Sequence, residues 1–187
     1  MLKVVTIIAV ILLPACNTNK LSKDDSSKNM VETVDEGSEE YRLSCEYSAF
    51  DTTIEVVFND TRDRISECQK KNYDNFISRQ ELLTPGILAA IFEYYKEVYP
   101  DYYQGWSSVG RLTEKQIEEN LPTPTTPENL KKYIKPLAVY IANKEECEDG
   151  TIGIYFECTW DIKNDLGVVI KKWKVVDVGT GDIAFLF

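Results

Sequence analysis

The chain has 187 residues, with 21 basic against 31 acidic side chains, a net charge of −10, an isoelectric point near 4.6 and no histidine. This acid surplus argues against nucleic acid as a partner, because a phosphate backbone calls for basic patches. The missing histidine removes Ser-His-Asp and Cys-His nucleophiles and most transition-metal sites.

The chain opens with Lys3 and an apolar run of ten residues, Val4 to Leu13. As a helix that run measures about 15 Å against roughly 30 Å of bilayer hydrocarbon, too short for a permanent span and suited to the core of a secretory signal. It ends in Leu13-Pro14-Ala15-Cys16. This ending resembles the lipobox of bacterial lipoprotein precursors: an apolar residue, a variable one, a small one, then Cys. The resemblance implies a signal over residues 1–15, cleaved to leave Cys16 as the first residue of the mature chain. It also implies several fatty-acyl chains on Cys16, since a single chain anchors only marginally. The location implied is extracytoplasmic, periplasmic or at the cell surface. Asn17, where an Asp would signal inner-membrane retention, favours the outer membrane in a two-membrane cell.

From Asn17 to Glu40 seven acids and three lysines give a net −4, with almost no large apolar side chains. Such a composition buries too little surface to offset chain entropy, so residues 16–40 read as a lipidated, disordered, acidic tether. Its typical end-to-end distance is about 25–30 Å.

Residues 41–187 have the size of one domain and carry a net −7, from 17 basic and 24 acidic side chains. Leu43, Cys45 and Tyr47 alternate on one face, and so do Ile54, Val56 and Phe58, which predicts an N-terminal hairpin. Ile65, Cys68, Phe76 and Leu83 then fall at helical steps. Thr84-Pro85 is expected to restart a second helix, with Thr84 as N-cap, a stripe of Ile87, Leu88, Ile91, Phe92, Tyr95 and Val98, and Pro100 as its end. Thr113-x-x-Gln116 reads as a capping box and Thr126-Pro127 as another helix start. Leu137, Val139 and Ile141 alternate; Ile152, Ile154, Phe156, Cys158 and Trp160 follow on one face. "LGVVIKKW", "KVVDVG" and "DIAFLF" complete a meander, with "VGTGD" as a turn between strands. The fold class predicted is α+β: a mostly antiparallel sheet, N-terminal hairpin plus C-terminal meander, with a helical pair packed on one face.

Four cysteines remain beside Cys16: Cys45, Cys68, Cys147 and Cys158. Outside the cytoplasm they allow two disulfides in three connectivities, with packed thiols as the competing reading. Cys147–Cys158, across the turn that precedes Ile152, is the first pairing expected. No Cys-x-x-Cys occurs, and neither a metal site nor a cofactor motif is expected.

Two groups of residues are candidates for function. Glu157, Asp161, Asp165, Asp177 and Asp182 cluster in the strand-rich end; paired across a concave site they would suit a carboxylate-dependent hydrolase, and otherwise they are solvated turn residues. The run "YYKEVYPDYYQGW" offers Tyr99, Tyr102, Tyr103 and Trp106 for contact with a protein or glycan, or as a secondary core over the helix end. The stretch from Cys158 through Trp160, Asp161, Leu166, Gly167, Val168, Val175, Val176, Val178 and Gly179 to Asp182 resembles an uncharacterised bacterial domain of unknown function. That family's pattern is C-x-W-D, then GLGV, then KVVxVGxxD, and "ILAAIFEYYKEV" fits its helical portion. Asn164-Asp165 stand where such domains commonly carry Glu-His-Gly, so no role for that histidine transfers. By analogy with domains met near toxin–immunity systems, the resemblance implies an immunity-like binder. The function expected is therefore a lipid-anchored, non-enzymatic binding domain. The rivals are an envelope hydrolase and a structural envelope lipoprotein.

Overall fold

The structure, a computed structural model, describes residues 40–59, 64–108, 110 and 113–186. The signal, Cys16 and the tether as far as residue 39 lie outside the described residues. Strands β1 (Tyr41–Tyr47), β2 (Thr52–Phe58), β3 (Ile134–Ile141), β4 (Ile152–Cys158), β5 (Leu166–Lys171) and β6 (Lys174–Gly179) form one sheet in sequence order. Every neighbouring pair is antiparallel except β2–β3, which is parallel. A parallel pair needs a long crossover. Here it contains α1 (Glu67–Ser108), α2 (Glu114–Asn120) and α3 (Pro127–Leu130). The molecule is an α+β fold, its sheet mostly antiparallel.

The expected helical pair is one helix. Over 42 residues α1 runs about 63 Å and passes through both Pro85 and Pro100. Proline costs a helix one hydrogen bond and a clash with the carbonyl four residues back. Both prolines lie on the exposed face, where water can take the freed carbonyl. The opposite face buries an unbroken row, Phe76, Gln80, Thr84, Ile87, Ile91 and Tyr95, whose spacing ignores the prolines. Thr84 is no N-cap. Its hydroxyl donates to the Gln80 carbonyl at 2.7 Å and meets the Tyr47 hydroxyl at 3.3 Å. Thr113 with Gln116 does form a capping box at α2, and Thr126 caps α3 with Pro127 in its first turn.

One sheet face carries Cys45, Tyr47, Ile54, Val56, Phe58, Val139, Ile141, Ile152, Ile154, Phe156, Leu166, Val168 and Ile170, all in the core beneath α1. Leu137 leaves that row because the register slips between Pro136 and Ala138, and Ile134 joins the core at the start of the strand. The first half of α1 holds the sheet with amides. Gln69 donates to the carbonyls of Asn59 and Ala142; Asn72 donates to Glu148 O and accepts from Gly150 N; Gln80 donates to Glu46 O and accepts from Ser48 N. The three amides thus satisfy backbone groups at strand ends that the ladder leaves free.

Segment "DIAFLF" is not a further strand of the meander. Past β6 the chain makes a 3-10 turn, Gly181–Ala184, that folds back over β4 and β5. Gly181 donates to Asn164 O and lies so close to the Tyr155 ring that a Cβ would overlap it.

The cysteine expectation also needs correcting. Cys68 and Cys147 form the disulfide, with Cα atoms 6.1 Å apart, whereas Cys45 and Cys158 are buried free thiols. Cys147 sits in the loop before β4 and Cys158 at its far end, seven strand residues or about 23 Å away. The strand itself forbids Cys147–Cys158. Burial pushes the Cys45 thiol up to about 11 and Cys158 to about 12, which keeps both protonated and unreactive near neutral pH.

Candidate functional site

Strand β6 ends the sheet, and among the described residues nothing pairs with its outer side. Helix α1 runs alongside, and Ala90, Glu93, Tyr94 and Glu97 sit on one helical face at steps of three and four. Between helix and strand lies an open groove of about 640 Å³. Its strand wall is Val175 to Val178, with Val176 56% exposed. The pairing places Ile170 opposite Val175 and Val169 opposite Asp177, so Val176 is the extra residue of a bulge. Asp177 Oδ1 accepts from the Val178 amide at 2.9 Å. Lys96, the cation of the groove, is held by Glu93 at 2.6 Å and sits over the Phe92 ring. Among the described residues, Glu97 and Asp177 have no Lys or Arg at ion-pair distance. The groove is apolar in its floor and acidic in its rim.

The four aromatic candidates divide. Trp160, Tyr95, Tyr99 and Tyr103 form a ladder from the core outward, with ring centroids 4.4, 5.7 and 5.8 Å apart in turn. Tyr103, 43% exposed, is its outer rung. Tyr102 is occupied: its hydroxyl donates to Asp161 Oδ2 at 2.5 Å. Trp106 and Tyr99 pack half-buried against the core. Three of the four thus cover the helix end, and only Tyr103 offers a ring to solvent.

Four of the acidic candidates lie away from the groove, and two of those, Glu157 and Asp165, line one second hollow. Asp161 is buried and accepts from Tyr102 and from the backbone and side chain of Asn164, which shapes the β4–β5 loop. Burial pulls its carboxyl up, yet those hydrogen bonds together outweigh it and leave it below the ordinary value. Asp165, at φ 55°, accepts from the Tyr155 hydroxyl, whose own ionisation is pushed to about 12, chiefly by that bond. Glu157 faces Lys135 at 3.8 Å, and Asp182 accepts from Thr180. Of the five, only Asp177 lines the groove. No three His, Cys, Asp or Glu side chains gather as a metal site among the described residues.

A second hollow of about 400 Å³ lies at the far end of β4, near Tyr133, Cys158, Thr159 and Ile162. Ile162 on its lip is 83% exposed. Its charged lining is already paired in part, through Lys135–Glu157 and Tyr155–Asp165. The β6 groove combines an open backbone edge, an apolar floor and unpaired acids, and is the stronger candidate. Sequence patterning missed it because Val175, Val176 and Val178 look like core. The adjacent pair Val175-Val176 ahead of Asp177, a break in strict alternation, was the available signal for a bulged edge.

The chain belongs to the DUF6985 family, a domain of unknown function whose model matches residues 29–186. No curated protein and no solved structure matches it. The fold explains why the residues singled out at the C-terminal end are what they are. Trp160 stacks on Tyr95, Asp161 ties the loop to α1, and Gly167 lies against Ile183 and the Thr180 carbonyl with no room for a Cβ.

Proposed function

We propose that the chain is a lipid-anchored, extracytoplasmic binding module, non-catalytic, which takes up a segment of a partner protein in the groove between α1 and β6. The open edge of β6 beside an apolar floor carries the reading, because an exposed strand edge is where an extended chain can add. An immunity-like role, in which the segment belongs to a toxin, is one form of it. Anchoring rests on Lys3, the Val4–Leu13 run and Cys16. A glycan stacked on Tyr103 has one exposed ring to support it, and a hydrolase has only Glu157 and Asp165 in one hollow, each already bonded, to Lys135 and Tyr155. Both are weaker.

The test is a photo-crosslinking residue at Val176, in the full chain in living cells, compared with the same residue at Ile162. A discrete protein adduct at Val176 and none at Ile162 is expected. Equal adducts at both positions, or none, would leave a structural envelope lipoprotein as the better reading. In the same cells Cys16→Ala should move the protein from the membrane to the soluble fraction, and retention at the membrane with the signal cleaved normally would overturn the anchor.

A further inference from the structure

We infer that β6 is a guarded strand-addition site for an extended segment carrying Lys or Arg, with Asp177 as the guard. This deepens the groove reading above and rests on it.

The argument starts at the β5–β6 turn. Lys172 and Trp173 both have positive φ, 53° and 60°, which is the conformation of a two-residue type I′ hairpin. Lys171 and Lys174 therefore form a hydrogen-bonded pair, and the next pair, Ile170 with Val175, does not exchange bonds. That turns the Val175 amide and carbonyl away from β5, toward the open side. After the bulge at Val176 the alternation resumes with Val168 opposite Val178. That alternation turns the Val178 amide to the open side too, where it is bonded to Asp177 Oδ1. Asp177 thus occupies the position that the carbonyl of an added strand would take.

Bulges and charged side chains on the edge strand are how sheet edges resist indiscriminate pairing. Val176 and Asp177 supply both. Two copies meeting edge to edge would bring Asp177 against Asp177, so a second copy of this chain is the wrong occupant. A cationic side chain on the incoming segment removes the obstacle: it pairs with the Asp177 carboxylate and draws it off the Val178 amide. The partner's carbonyl then takes that donor, Glu97 receives a second cation, and apolar side chains settle against Tyr94, Ala90 and Val178. Selectivity comes from the guard, and affinity from the backbone bonds and the floor.

The experiment uses the full chain and short fluorescein-labelled peptides followed by anisotropy. A peptide alternating Lys and Val should bind about tenfold tighter than its Glu/Val counterpart. Backbone N-methylation on its edge-facing residues should weaken it by about tenfold. Asp177→Asn keeps the cap but loses the charge, and should weaken the Lys/Val peptide. Asp177→Ala removes the guard and should let a neutral Thr/Val peptide bind more tightly than it binds the wild type. Asp177 is exposed, so both variants should keep the wild-type thermal midpoint, which checks that they fold. The inference is overturned if Lys/Val and Glu/Val peptides bind alike or not at all, or if N-methylation has no effect. Peptide failure with Val176 adducts retained sinks this inference alone, whereas loss of the adducts sinks the groove reading itself.

Discussion

The two halves of α1 hold the same sheet by different chemistry. From Gln69 to Thr84, four of the five buried side chains are polar, and their amides reach backbone groups at the ends of β1, β2 and β3 and in the β3–β4 loop. From Ile87 to Tyr95 the buried side chains are aliphatic or aromatic, and Tyr95 stacks on Trp160. Hydrogen bonds are directional and lose most of their value when a strand end shifts by an ångström; apolar contact tolerates such shifts and contributes through area. The first half therefore fixes where the loops sit, and the second supplies bulk cohesion. The Cys68–Cys147 bridge falls in the polar half. The groove at β6 borders the apolar half, from Ala90 to Glu97, where the helix is seated by burial and its outer face is free to meet a partner.

This division is easiest to break at Trp160. Trp160→Ala removes the largest buried ring and should cost about 3–5 kcal/mol, measured by urea unfolding. A loss under about 1 kcal/mol would mean that the apolar half is not the main source of cohesion. Removing the bridge comes next. The disulfide closes a 79-residue separation, so Cys68→Ser with Cys147→Ser should cost about 2–4 kcal/mol. Asn72→Leu leaves the Gly150 amide without its acceptor and takes one of two donors from the Glu148 carbonyl, which keeps the Thr151 amide, and should cost about 1–3 kcal/mol. Its signature is local: hydrogen exchange at Gly150 should accelerate while Val168 in β5 stays protected. Uniform acceleration would show that the amide row is not a local clasp.

The same contrast explains what could be read from the sequence. Alternation at Cys45, Tyr47, Ile54, Val56, Ile152, Ile154 and Phe156 marks the buried face correctly, because burial on one face of a strand leaves a period of two. The buried amides were invisible: Gln69, Asn72 and Gln80 look like solvent-facing residues, and only the positions of distant strand ends make them core. Local propensity makes Pro85 and Pro100 helix boundaries, whereas the buried stripe, whose register runs through both, makes one helix. Strand pairing has no local code, so Cys68–Cys147 could not be separated from the alternatives until β4 was known to lie between Cys147 and Cys158. The candidate site suffered likewise. Tyr102 was singled out for contact, but its partner Asp161 lies 59 residues away.

The smallest effect tests whether that last bond is electrostatic or merely packed. The folded Asp161 carboxyl lies below its ordinary value because the Tyr102 and Asn164 bonds outweigh its burial. A lowered carboxyl contributes stability that is fully present above its unfolded value, near 3.9, and is lost as pH falls through the lower folded value. Tyr102→Phe keeps the ring and deletes the donor, so it should cost about 1–2 kcal/mol at neutral pH. As pH falls through the lowered folded value, Asp161 protonates and the bond to the charged form disappears in the wild type as well. The thermal midpoints of the two proteins should therefore converge in acid. A constant gap across the whole range would place the contribution of Tyr102 in its ring contacts, and would leave the β4–β5 loop held to α1 by packing alone.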